Sequence, residues 1–208
     1  MEIYSFFSKE LSIPLAEDLE KSVPSIISKI KTNFSFRFLN DKGYLNDVVN
    51  GEEVDDDLRP NQIYVLSLPF SLLLPAVEKR IFKRVQEELY TPFGLRTLER
   101  SHPDFKPIYK GDQWHRDTSY HQGTVWPFLL GDYFLAQLKV FKYSEKVQKE
   151  VHAAVNALEE HFYSEDCIHG FSEIFDGLEP NEGRGTVQQA WSISGLLQAL
   201  YKLKELED

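Results

Sequence analysis

The sequence is short of several things, and each shortage removes a class of function. Among 208 residues there is one cysteine, Cys167, so no disulfide can close within the chain and a reducing, cytoplasmic setting is expected. Basic residues are the minority, 23 Lys and Arg against 33 Asp and Glu, for a formal net charge of -10. With no basic run to track phosphates, nucleic acid is not expected as a partner. The most apolar stretch, Tyr64 to Val77, contains Pro69 and Pro75 and is too short to cross a bilayer. The opening MEIYSFFSKE has no basic segment with a cleavage site, so neither a membrane span nor a secretory signal is expected.

Familiar chemical motifs are also missing. Six histidines are present, yet none falls in an HExxH pattern. Paired CxxC and EF-hand spacings are absent too, so no metal is expected. There is no GxSxG for a serine nucleophile and no GxGxxG or P-loop to cradle a phosphate; EGRG is too short to count. No cofactor is expected. Cys167 lies near His169, which is weak grounds for a Cys-His pair. Strand-period alternation and tandem repeats are not evident.

What is present is helix periodicity. Leu15 to Leu39 places Leu19, Val23, Ile26, Ile27, Ile30 and Phe34 three or four apart, with Pro24 expected to kink or restart the helix. Pro60 suits a first helical position ahead of the apolar run Ile63 to Leu68. Helices are expected over Val77–Leu89, Trp126–Phe141, Glu145–Phe162 (with Ser144 as N-cap) and Thr186–Leu206. The chain therefore reads as all-α, a single mostly helical region over residues 1–208.

Three long segments between these helices are chemically loaded: Tyr44–Gln62, Thr91–Trp126 and Ser164–Gln188. Loops beyond about a dozen residues in a compact domain are usually functional or disordered, and the 13% aromatic content argues against disorder. The richest is Gly111 to Phe128, GDQWHRDTSYHQGTVWPF. Its aromatic rings stand beside carboxylates and amides, which suits a polyhydroxylated ring: C–H faces on the aromatics, hydroxyls on the polar groups. In the third loop Glu173 is flanked by Phe171, Ile174 and Phe175. Partial desolvation by such neighbours tunes a carboxyl group for acid or base work. Taken alone it reads first as a solvated loop acid, one of 33 acidic residues, and Asp176-Gly177 is a plain turn signal.

The succession YLNDVVNG, LRPNQIYVLSLPFS, ELYTPFGLRTL, GDQWHRDTSYHQGTVWP, SEIFDG and QQAWSISGLLQAL resembles, in order, the C-terminal part of bacterial and archaeal glycogen debranching enzymes. That part is the amylo-α-1,6-glucosidase module, an inverting glycoside hydrolase on an (α/α)6 barrel. The resemblance runs from about Phe34 to the end. It implies about half of such a barrel, with long loops at one end that hold a branched α-glucan such as glycogen or limit dextrin. It implies Glu173 of SEIFDG as the catalytic base. It further implies Arg59, Asn61 and Gln62 of RPNQ, His121, Gln122 and Trp126 of YHQGTVW, and Trp191 of QAWS as the lining of the terminal-glucose subsite. Trp126 and Trp191 are equally readable as core rings at helix starts.

The family's general acid is an aspartate in a TWMD-like segment, which this sequence lacks. Asp47, Asp112 and Asp117 can be nominated in its place without a motif to support them. The expectation is thus a C-terminal fragment or half-length homologue, inactive alone, completed by the missing half or by self-association. The competing reading is a non-catalytic glucan-binding or self-associating half-barrel. A trehalase-like or oligosaccharide-trimming glucosidase ranks third.

Overall fold

The computed structural model describes residues 17–165 and 169–207. Helix α1 spans Glu17–Phe38 and continues through Pro24; Leu15 and Cys167 lie outside the described residues. A small hairpin pairs β1 (Val48–Asn50) with β2 (Glu53–Asp55). A 3-10 turn, Pro60–Gln62, with Pro60 in its first turn as expected, leads directly into α2 (Ile63–Ser67). Helix α3 (Pro75–Glu88) also starts on a proline, which has no N–H to leave unsatisfied there. It buries Ile81, Phe82 and Val85 on one stripe, the i, i+4 face that its apolar spacing dictates.

The long loop expected over Thr91–Trp126 is partly ordered. It holds β3 (Tyr90–Thr91), β4 (Gly94–Arg96), the short helix α4 (Gln113–Ser119) and β5 (Val125–Trp126). The helix expected from Trp126 instead begins with a 3-10 turn at Pro127–Leu129 and becomes α5 only over Leu130–Val140. The single helix expected over Glu145–Phe162 is two, α6 (Glu145–Asn156) and α7 (Glu159–Ser164). Ser144 precedes α6 but makes no side-chain cap bond. The third loop carries β6 (Ile174–Phe175) and β7 (Gly183–Arg184), and α8 (Ala190–Glu207) closes the described chain.

The all-α expectation is therefore corrected: the chain is mostly helical but has a five-stranded antiparallel sheet in the order β3-β4-β5-β6-β7 as well as the hairpin. Its strands are two or three residues long, too short to display the alternation by which strands are read in a sequence.

The core forms where α5 packs between α2 and α8, with α3 and α6 alongside. Tyr133 of α5 stacks on Phe82 (ring centroids 5.1 Å apart) and on Tyr90 (4.6 Å). Helices α5 and α8 approach closely because Gly131 faces Gly195; a Cβ on Gly195 would sit 2.7 Å from the Phe128 carbonyl oxygen. That approach packs α8 against the 3-10 turn that follows β5.

Candidate active site

The sheet joins the loaded loops. Pairing of Val125 with Phe175 lays β5 beside β6, so Tyr120–Trp126 and Glu173, far apart in sequence, become neighbours. On the other side β4 pairs with β5. Beyond β4, Thr97 takes part through Thr97 N–H to Thr124 O (3.0 Å) and Gly123 N–H to Thr97 Oγ1 (2.8 Å).

Glu173 precedes β6 and is half-buried. The Tyr120 hydroxyl, 53 residues earlier in the chain, donates to its Oε1. The Thr186 backbone N–H donates to its Oε2 at 2.9 Å. Burial pushes the carboxyl up, but the bonds from Tyr120 and from Thr186, with the Gln189 side chain adding, outweigh it and hold Glu173 below the ordinary carboxylate range. The Tyr120 phenol moves the other way, driven up by burial and then by Glu173, so the proton between them stays on the tyrosine.

The second group surrounds Arg59. Its Nη1 donates to the carbonyls of His121 (2.9 Å) and Thr97 (3.2 Å), and its Nη2 to Gln122 Oε1 (3.1 Å) and Asp57 Oδ2 (3.4 Å). Asn61 Nδ2 donates to Asp47 Oδ1 (2.8 Å). Arg59, Asn61, His121 and Gln122 line one cavity of about 380 Å³ with Asp47, Pro60 and Thr97. That is the size range of small-ligand clefts. Burial, and then the Arg59 charge, lower the His121 imidazole, which favours its neutral form.

An aromatic cluster connects the two groups. The Tyr120 ring meets Trp126 edge-on at 4.9 Å and Tyr109 at a tilt, 5.5 Å away. His121 stacks on Trp126 at 5.4 Å and 12°. Trp126 is 4% exposed and donates Nε1–H to the Tyr120 carbonyl (3.2 Å). Trp191, at the start of α8, is 44% exposed; it stacks on Phe128 at 4.3 Å and meets Trp126 edge-on at 5.8 Å.

Of the eight residues singled out by sequence, four share the cavity, Glu173 and Trp191 flank the aromatic cluster, and two sit deeper. Gln62 is buried, taking Leu45 N–H on Oε1 (3.2 Å) and giving Nε2–H to the Arg59 carbonyl (2.9 Å). It lines a smaller recess of about 150 Å³ with Phe34 and Phe38. Trp126 is the other, a core ring whose face supports His121. Of the nominated aspartates, Asp47 borders the cavity, whereas Asp112 caps α4 through His115 N–H (3.0 Å) and Asp117 is exposed. Among the described residues no group of three or more potential metal ligands comes together.

Sequence reading missed two residues. Tyr120 lies in the aromatic stretch Gly111–Phe128, where nothing sets its hydroxyl apart. Asp176, beyond its turn role, is buried and receives Arg184 Nε and Nη2 (3.0 and 2.8 Å) and the Tyr109 N–H (2.9 Å). It ties the extended segment at Tyr109 to the end of β6, and no local signal marks it.

The sequence profile of the amylo-alpha-1,6-glucosidase family matches residues 3–198. The chain belongs to that family. A curated relative is the glycogen debranching enzyme of Saccharomyces cerevisiae, 27% identical over 189 residues, covering 79% of this chain and 12% of the yeast protein. The chain thus spans about an eighth of the length of that relative. The resemblance to the C-terminal module of glycogen debranching enzymes holds.

Proposed function

We propose that this chain supplies the base and the glucose-gripping wall of an amylo-α-1,6-glucosidase that removes α-1,6-linked glucose from branched α-glucan, such as glycogen or limit dextrin, with inversion. The observation that carries the reading is the state of Glu173: a carboxylate held ionised by neutral donors, at the edge of an aromatic cluster, just before β6 of the sheet whose flanking residues Thr97, His121 and Gln122 line the Arg59 cavity. In the proposed step Glu173 takes a proton from a water. The water oxygen bonds to the anomeric carbon as the bond to the leaving oxygen breaks, and that oxygen is protonated by a second carboxyl group. The reading gives Glu173 the base role alone; the acid belongs to a segment equivalent to the TWMD aspartate, and residues 1–208 without it release no glucose.

Arg59, Asn61, His121 and Gln122 bind the hydroxyls of the terminal glucose, and Trp191 offers an apolar face. Gln62 and Trp126 support them from beneath. The helices form part of an (α/α)6 barrel that carries these loops at one end, in a single region in a cytoplasmic setting, with no part in nucleic-acid or membrane binding. Among the described residues no helix is long and apolar enough to cross a membrane. The test is a substrate panel offered to the protein as its host makes it: limit dextrin is expected to yield glucose, initially as the β anomer, while trehalose and linear maltooligosaccharides are left intact. Trehalose cleavage would favour a different glucosidase.

A second reading, self-association of a non-catalytic half-barrel, is favoured by the outer face of α8. There Leu197 and Tyr201 are 58% and 68% exposed beside Leu135 in a groove of about 700 Å³. A monomer by size exclusion with light scattering would eliminate it.

A further inference from the structure

Glu173 is held from two sides. The Tyr120 hydroxyl donates to Oε1 and the Thr186 N–H to Oε2 at 2.9 Å. Behind Oε2 the chain passes through Gly185 with a positive φ of 71°, where a Cβ would stand 2.5 Å from Oε2 and 3.1 Å from the Glu173 Cβ. The positive φ and this close approach favour a glycine here, and it is main chain that meets Oε2. Oε1 accepts from Tyr120, whose ring is itself wedged against Trp126 and Tyr109.

The donors to Glu173, the Gln189 side chain among them, are all uncharged. An arginine or lysine in place of Tyr120 would form an ion pair and drain the carboxylate of basicity, whereas a phenol orients it at lower cost to its proton affinity. Each carboxylate oxygen has two acceptor sites, and the phenol fills only one of them on Oε1. Burial and Glu173 keep the phenol protonated, so the donor is present throughout the range in which a glycosidase works.

We infer that Tyr120 is the positioning residue of the base: its hydroxyl and the Gly185–Thr186 main chain clamp Glu173 so that Oε1 is presented to the attacking water. This rests on the assignment of Glu173 as base, made above. Tyr120 does not touch the reacting atoms; it acts through Glu173.

The test is Tyr120→Phe, which keeps the ring and removes the donor. The Glu173 side-chain carboxyl, ¹³C-labelled and assigned by its loss in Glu173→Gln, is titrated by NMR in the 208-residue chain, which needs no activity. The midpoint is expected to rise in Tyr120→Phe. In the protein as its host makes it, kcat on limit dextrin falls about tenfold, as for loss of one hydrogen bond to a charged group, with KM little changed and the acid limb of the rate profile moved upward with the midpoint. As a reciprocal measurement, the Tyr120 phenol titrates lower in Glu173→Gln than in the parent, which keeps the proposal testable if Tyr120→Phe does not fold. Unchanged midpoints in both variants overturn the clamp, whatever Glu173 does. If the midpoints move but Glu173→Gln keeps full activity, the base assignment fails and the hydrogen bond stands.

Discussion

Arg59 reaches across the molecule to His121: its Nη1 lies 2.9 Å from the His121 carbonyl oxygen, 62 residues away. That bond ties the loop before α2 to the turn before β5 and forms one wall of the cavity. A guanidinium satisfies four acceptors at once here, which an ammonium on a flexible stem cannot reproduce. Arg59→Lys is therefore expected to lower stability by about 1.5–3 kcal/mol, the worth of hydrogen bonds to a charged group, in urea unfolding, and to weaken maltooligosaccharide binding in calorimetry. A variant as stable and as tight as the parent would contradict the account of this wall.

The same arginine governs His121. Burial first and the Arg59 charge second hold that imidazole below its ordinary value. A histidine lowered in the folded state binds its proton more readily when unfolded. Its contribution to stability is thus complete above the unfolded value of about 6.5 and is lost as pH falls through the folded value. Arg59→Gln is expected to bring the His121 midpoint upward in an NMR titration; a midpoint that does not move would remove Arg59 from the list of causes.

The two tryptophans are expected to divide. Trp126 is 4% exposed and carries the Tyr120 and His121 rings, so Trp126→Ala costs about 3–5 kcal/mol of stability, as for a large core ring. Trp191 is 44% exposed, and Trp191→Ala is expected to lose glucan affinity at a smaller cost in stability. Calorimetry and denaturant unfolding on both variants separate the roles; equal losses of stability would make Trp191 a core ring as well.

Gly195 provides a test whose sign is informative. It lies inside α8, where helix propensity alone favours alanine by about 0.8–1 kcal/mol. The added Cβ would stand 2.7 Å from the Phe128 carbonyl oxygen, and backbone cannot step aside cheaply. Gly195→Ala is expected to destabilise by about 1–3 kcal/mol, as overpacking does, in urea unfolding. A more stable variant would show that α5 and α8 are not held this close.

The helices were legible because burial on one stripe imposes a period that survives in sequence, as in α3, where Ile81 and Val85 are both buried. The sheet was not. A pair such as Val125–Trp126 against Ile174–Phe175 is too short for alternation to show, and its register is set by the turns around it. Helix α4, QWHRDTS, has no apolar stripe for periodicity to detect. In the site, the motif residues Arg59, Asn61, His121 and Gln122 do meet in one cavity. Tyr120 was illegible for a different reason: among ten tyrosines, nothing local says which hydroxyl will face a carboxylate 53 residues away.

The proposed role of Glu173 as the base is measured by one rate. Initial glucose release from limit dextrin is compared between the protein as its host makes it and its Glu173→Gln variant, with folding checked by circular dichroism. The account predicts a loss of about 10²–10⁴-fold, the usual worth of a positioned general base. A natively folded Glu173→Gln protein that releases glucose at the parent rate would contradict it.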